Sequence, residues 1–92
     1  MNKLTYNEKT DFNDDCPNLV KRYNTKSALV RDYLRFKENW TKIARKDPYN
    51  NRVDENSGEG FKVIWLTTIV RGDRPNTQMN WIKSVEIEFE ED

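Results

Sequence analysis

Residues 27 to 46, SALVRDYLRFKENWTKIARK, decide how this chain folds. Their large apolar side chains stand at Leu29, Tyr33, Phe36, Trp40 and Ile43, spaced four, three, four and three. That spacing lays them in one stripe of an α-helix and fits no alternating strand. Thr25 or Ser27 can cap the start, because a hydroxyl accepts from the unpaired amides of a first helical turn. Asp47-Pro48 ends it, because proline disfavours helix at the residue before it. Such a rod is roughly 30 Å long, about the width of a small domain. On its far side, roughly 160 to 240° around from Leu29 at 100° per residue, lie Arg31, Arg35, Glu38, Lys42 and Arg45. One face is apolar and aromatic; the other is cationic.

Beyond this helix the clearest element is Phe61 to Arg71. Phe61, Val63, Trp65, Thr67 and Ile69 alternate with Ile64, Leu66, Thr68 and Val70, and this β-branched and aromatic content suits a central strand, apolar on both faces. Arg71 to Thr77, with Gly72, Asp73 and Pro75, reads as a hairpin loop. The returning strand, Gln78 to Glu90, carries Met79, Trp81, Val85, Ile87 and Phe89 on one face and Glu86, Glu88 and Glu90 on the other, an acidic ladder facing water.

Before the helix the signals are weaker. Leu4, Tyr6 and Phe12 anchor residues 1 to 15 as an arm or an edge strand. Phe12 to Pro17 reads as a turn and a helix start, with Asp14 or Asp15 capping and Pro17 in the first helical position. Leu19, Val20 and Tyr23 then supply a short helix, so that 17 to 46 is helical and basic. Residues 47 to 60, rich in Asp, Asn, Glu, Ser and Gly, read as a polar loop, long enough to suggest a contact site. The expected fold is a single α+β domain: the long amphipathic helix, with a short helix before it, packed on a small antiparallel sheet dominated by the hairpin 61 to 90.

Ninety-two residues suffice for one core only. Leu, Ile, Val and Phe number 20 of the 92, just above the roughly 20% below which a charged chain stays disordered. The net charge is zero, and eleven aromatic residues supply large buried areas, so a small aromatic core is expected. A lone cysteine, Cys16, cannot staple the fold, which points to a reducing, cytoplasmic setting. No apolar run approaches the roughly 18 residues that a membrane span needs, and polar residues follow Met1 where a signal peptide would be apolar. The sequon Asn39-Trp40-Thr41 falls on the apolar stripe and is read as chance.

Zero net charge conceals segregation. Residues 17 to 46 hold nine basic groups against two acidic ones, while 1 to 16, 47 to 60 and 61 to 92 come to −2, −3 and −2. The local field therefore says more about partners than the whole-chain balance.

The chain has no histidine, which removes the commonest general base and the preferred metal ligand. Asp14 and Asp15 beside Cys16 would raise its thiol pKa, whereas a nucleophile needs it lowered. Asp11, Asp14 and Asp15, or Asp54, Asn56 and Glu59, could be tried as metal ligands, but a twelve-residue calcium loop from Asp54 would need a glutamate where Trp65 stands. The glycines of Ser57-Gly58-Glu59-Gly60 precede a strand rather than a helix, so they form a turn and not a phosphate cradle. No catalytic residue, metal or cofactor is expected.

Three surfaces remain as contact sites. The basic helix face offers Arg31, Arg35, Lys42 and Arg45, the loops offer Tyr49, Arg52, Arg71, Asp73 and Arg74, and the acidic strand offers Glu86, Glu88 and Glu90. Trp40, Trp65 and Trp81 are assigned to the core, since each falls on the inward face of its element; an exposed one would be a binding anchor. The reading that follows is a small non-catalytic protein-binding module, an inhibitor or adaptor of the kind phages and mobile elements encode. Nucleic acid bound along the basic helix face is the alternative, and it requires affinity that falls steeply with salt. An enzyme using Cys16 or a carboxylate pair is the least favoured class. An unpaired edge strand or the apolar stripe would also allow a homodimer.

Overall fold

A computed structural model describes residues 1–11, 18–72, 74 and 77–90. One helix, α1 (Lys26–Lys46), lies across a five-stranded sheet made of β1 (Lys3–Thr10), β2 (Leu19–Arg22), β3 (Asn51–Gly58), β4 (Phe61–Arg71) and β5 (Gln78–Glu88). The strand order is β2-β1-β5-β4-β3 and every pairing is antiparallel. The fold is α+β, as the alternation of period 3.6 and period 2 in the chain requires. At 52 × 29 × 18 Å the molecule is a slab, and 18 Å is the thickness of one helix on one sheet. One face of the sheet is therefore left without a covering layer among the described residues.

The helix forms as its sequence dictates. Thr25, extended at φ −132°, accepts from the Ala28 amide at 3.2 Å, so Thr25 and not Ser27 is the cap. At the other end the Asp47 amide donates to the Ile43 carbonyl. Leu29, Tyr33 and Trp40 are buried, and Phe36 bridges Tyr6 (centroids 6.0 Å apart) and Trp40 (5.7 Å, edge to face). Ile43 continues the stripe in sequence but is 43% exposed.

Beneath the stripe lie Leu4 of β1, Ile64 and Leu66 of β4, and Val85 and Ile87 of β5. The register accounts for this set: Leu4 faces Ile87, and Ile64 faces Val85, so their side chains share one side of the sheet. The hairpin β4–β5 is the one expected, and its strands are the longest of the five.

Three expectations are corrected. The short helix before α1 is absent from the described residues: Leu19 to Arg22 are extended and pair with Lys3 to Tyr6, and the Tyr23 amide donates to the Asn2 carbonyl at 2.8 Å. A single turn of helix is costly to nucleate, whereas β1 offers a row of unpaired backbone groups. Consequently β1 is not an edge strand; it lies between β2 and β5. The polar segment 47 to 60 is not one long loop, because residues 51 to 58 pair with 61 to 68 as β3. The connection is Glu59-Gly60, with Gly60 at φ +80°, which glycine adopts without steric cost. An edge strand needs only one hydrogen-bonded neighbour and one inward side chain, here Val53, so its sequence carries little apolar pattern. The turn and helix start expected at 12 to 17, with Cys16, lie outside the described residues.

Candidate functional site

Arg31, Arg35, Lys42 and Arg45 are exposed on the outer face of α1, where the helical spacing puts them. Two of them are paired within the helix: Arg35 with Asp32 at 3.6 Å and Lys42 with Glu38 at 3.1 Å. Among the described residues no ion pair engages Arg31 or Arg45. Exposed pairs of this kind contribute little to stability, and their cations remain available to a partner.

The residues of the two connecting segments come together in part. Tyr49, 81% exposed, stands in the turn after α1, and the Arg71 guanidinium lies 5.7 Å from its ring centroid. Arg71 Nε also donates to Asn50 Oδ1 at 3.2 Å, so the stack is held from both sides. Arg52 opens β3 beside them, and its Nε donates to Asp54 Oδ2 at 2.9 Å. Thr68 Oγ1 donates to Asn51 Oδ1 and the Asn50 amide to Asp47 Oδ1, which fixes the turn against β4. Arg74 is exposed in the β4–β5 connection; Asp73 lies outside the described residues.

Sequence pattern alone does not find what lies next to this cluster. Trp65 pairs with Asp54 and with Ser84, so it points away from Ile64 and from the helix. Val63, Thr67, Ile69 and, from β5, Ile82 share that side. Trp65, Ile69 and Ile82 are half-buried with no layer above them among the described residues, and Ile69, Ile82, Thr67 and Asn80 form the floor of a groove walled by Pro48, Tyr49 and Arg52. The two apolar faces of β4 are legible in the sequence; which of them the helix leaves bare is not. Of the three tryptophans only Trp40 is fully in the core: Trp65 and Trp81 are each half-buried, Trp81 on the helix side of the sheet with Lys83 Nζ 4.7 Å from its ring.

Glu86 and Glu88 stand at the opposite end of the same open face and Glu90 lies beyond it. They are not a bare anionic row: Lys3 approaches Glu88 at 3.6 Å, and the terminal amine of Met1 meets Glu90 at 2.8 Å. That amine holds the Glu90 carboxyl below its usual range.

A second concavity lies between β2, β1 and α1, lined by Leu4, Tyr6, Leu19, Tyr23 and Phe36, with Asp32 and Lys21 at its mouth. Tyr23 Oη donates to Asp32 Oδ2 at 2.6 Å and Lys21 lies 3.7 Å from the same carboxylate. Burial, then the hydrogen bond to this anion, pushes the Tyr23 hydroxyl up to about 12. No cluster of three or more metal-ligating side chains occurs among the described residues. No helix among them is long and apolar enough to cross a membrane. Set beside known proteins, the chain matches no family model, no curated protein and no solved structure.

Proposed function

We propose that this chain is a small non-catalytic protein-binding module of the inhibitor or adaptor type, and that it holds an acidic partner protein on the open face of its sheet. The observation that carries the reading is the strip of Trp65, Ile69 and Ile82, left bare by α1 and closed at one end by the Tyr49–Arg71 stack. Tryptophan, tyrosine and arginine are the residues that dominate binding energy at interfaces, and here Tyr49 and Arg52 wall the groove while Trp65 shares its sheet face and Arg71 stacks on Tyr49. Arg71 has no ion pair among the described residues and stands ready for a carboxylate, which would engage its guanidinium through two parallel hydrogen bonds.

The test is capture from host lysate after nuclease treatment, run beside Tyr49→Ala, Arg71→Glu and the helix-face pair Arg31→Glu with Arg45→Glu. One protein retained by the wild type, lost with Tyr49→Ala and Arg71→Glu and kept by the helix-face variant, supports the reading. Capture that survives both groove changes refutes it.

The alternative, a nucleic acid on the basic helix face, draws support from Arg31 and Arg45, which point outward without an ion pair among the described residues. It requires binding that weakens steeply between low and moderate salt and disappears in the helix-face variant. Binding to single- or double-stranded oligonucleotides that is flat with salt would exclude it.

A further inference from the structure

The strand β3 is the long exposed edge of the sheet, and its backbone polarity can be assigned residue by residue. The Ile69 amide donates to the Asn50 carbonyl at 2.8 Å, which makes Asn50 and Ile69 a hydrogen-bonded pair. Alternation along the ladder then turns the N–H and C=O groups of Arg52, Asp54 and Asn56 toward β4. Both groups of Val53 and Glu55 and the carbonyls of Asn51 and Ser57 point outward, away from the sheet, while the Asn51 amide donates to the Asp47 carbonyl at 3.2 Å and the Ser57 amide to Asn56 Oδ1 at 2.9 Å. We propose that this edge pairs antiparallel with β3 of a second copy of the chain, about a twofold axis through Val53.

The register follows from charge. In an antiparallel seam outward-bonding residues meet one another, so a symmetric pairing must be centred on a residue of the strand. Centring on Arg52 sets two guanidinium groups opposite each other, and centring on Asp54 or Glu55 does the same with carboxylates; like charges directly opposite are destabilising. Centring on Asn56 sets Asp54 against Gly58 and Glu55 against Ser57, with no attractive pair. Only the Val53 centre joins opposite charges: Val53 faces Val53, Arg52 faces Asp54 twice, and Asn51 faces Glu55 twice. The Arg52–Asp54 positions fall at non-hydrogen-bonded sites of the seam, where facing Cα atoms are about 4.5 Å apart and side chains are closest.

The side chains already stand where the seam needs them. Arg52 and Asp54 share the open face, are 76% and 49% exposed, and bond to each other within the chain at 2.9 Å. Exchanging that partner for its symmetry copy keeps both side chains on the face of the sheet they already occupy. The helix contributes as well. The 2.9 Å pair between Lys37 and Glu55 identifies the flank of α1 that faces β3, and Val30, Leu34 and Thr41 lie on that flank at helical spacing. Leu34 is 50% exposed there. A twofold axis perpendicular to the sheet keeps both helices on one side, so the Leu34 flanks face each other across the seam. The two open faces then join into one continuous surface.

Sedimentation equilibrium of the full chain tests this with Arg52→Asp, Asp54→Arg, the double exchange of both, and an equimolar mixture of the two single variants. The wild type is expected to dimerise. Each single change turns both attractive pairs into repulsive ones and should weaken the dimer by on the order of tenfold or more. The double exchange should restore it, and the mixed single variants should pair with each other, since every facing charge is then opposite in sign. Circular dichroism confirms that each variant is folded. A wild type that stays monomeric at its highest soluble concentration overturns the proposal. So does a dimer weakened by only one of the single changes, by neither, or not restored by the double exchange.

Discussion

Tyr23 Oη donates a 2.6 Å hydrogen bond to Asp32 Oδ2, joining the residue after β2 to α1. Each group shifts the titration of the other. The hydrogen bond from Tyr23, more than the charges of Lys21, Arg35 and Arg31, holds the Asp32 carboxyl below its usual range although burial acts the other way. A folded-state pKa below the unfolded one means that Asp32 stabilises the fold above the ordinary carboxylate range and ceases to do so as pH falls through its folded value. Tyr23 has the opposite sign: its contribution is complete below pH 10.0 and is lost as pH rises toward about 12. Tyr23→Phe is therefore expected to cost about 1 kcal/mol near neutrality, less than the roughly 1.5–3 kcal/mol of a buried hydrogen bond to a charged group because Asp32 is partly solvated. It should also flatten the acid limb of stability against pH. The alkaline limb should shrink but persist, because Tyr6 and Tyr33 are likewise pushed up to about 12, mainly by burial. Denaturant midpoints across the pH range measure all three effects.

Tyr33 is 2% exposed, and its hydroxyl is buried without a hydrogen-bond partner among the described residues. An unmatched buried hydroxyl costs roughly 1–3 kcal/mol, while the ring itself packs in the core. Tyr33→Phe should accordingly raise stability by about 1 kcal/mol, visible as an increase of several degrees in Tm for a domain of this size. A loss of stability would mean that the hydroxyl has a partner in solution.

Ile64 is fully buried between α1 and the sheet, whereas Ile43 at the end of the same apolar stripe is 43% exposed. Ile64→Ala is expected to cost about 3 kcal/mol or more through lost transfer energy and the cavity left behind. That is a large share of the stability of so small a domain. Ile43→Ala should cost less than about 1 kcal/mol. Equal losses in urea unfolding would show that the helix reaches further over the sheet than its exposure indicates.

At Gly60 the chain turns from β3 into β4 with φ +80°, and a Cβ there would approach the Phe89 carbonyl oxygen to 3.1 Å. Gly60→Ala should destabilise by about 1–2 kcal/mol, since both the left-handed backbone and the close approach oppose a side chain. An unchanged midpoint in urea would mean that the turn can adopt another geometry.

Elements with a strong internal pattern are legible in the chain alone. The stripe from Leu29 to Trp40 and the alternation in β4 and β5 each bury a face large enough to mark the sequence, and the α+β class follows from them. Residues 19 to 22 and 51 to 58 bury almost nothing, so burial left no mark on them. Helical spacing puts Arg31, Arg35, Lys42 and Arg45 on the exposed side of α1, where the structure has them, while the meeting of Tyr49 with Arg71 depends on a turn packing against a strand end far along the chain. For Trp65 the alternation indicates a face but not what would cover it.

By itself, then, the sequence determined the helix, its cationic outer face and the β4–β5 hairpin, because these depend on local period and residue type. Only the tertiary structure decided that β1 is an inner strand, that β2 and β3 are the edges, and that α1 leaves the sheet face carrying Trp65 without a layer over it among the described residues. Those outcomes depend on which backbone hydrogen-bonding groups find partners far along the chain, and on a single helix being able to cover only one of two apolar faces.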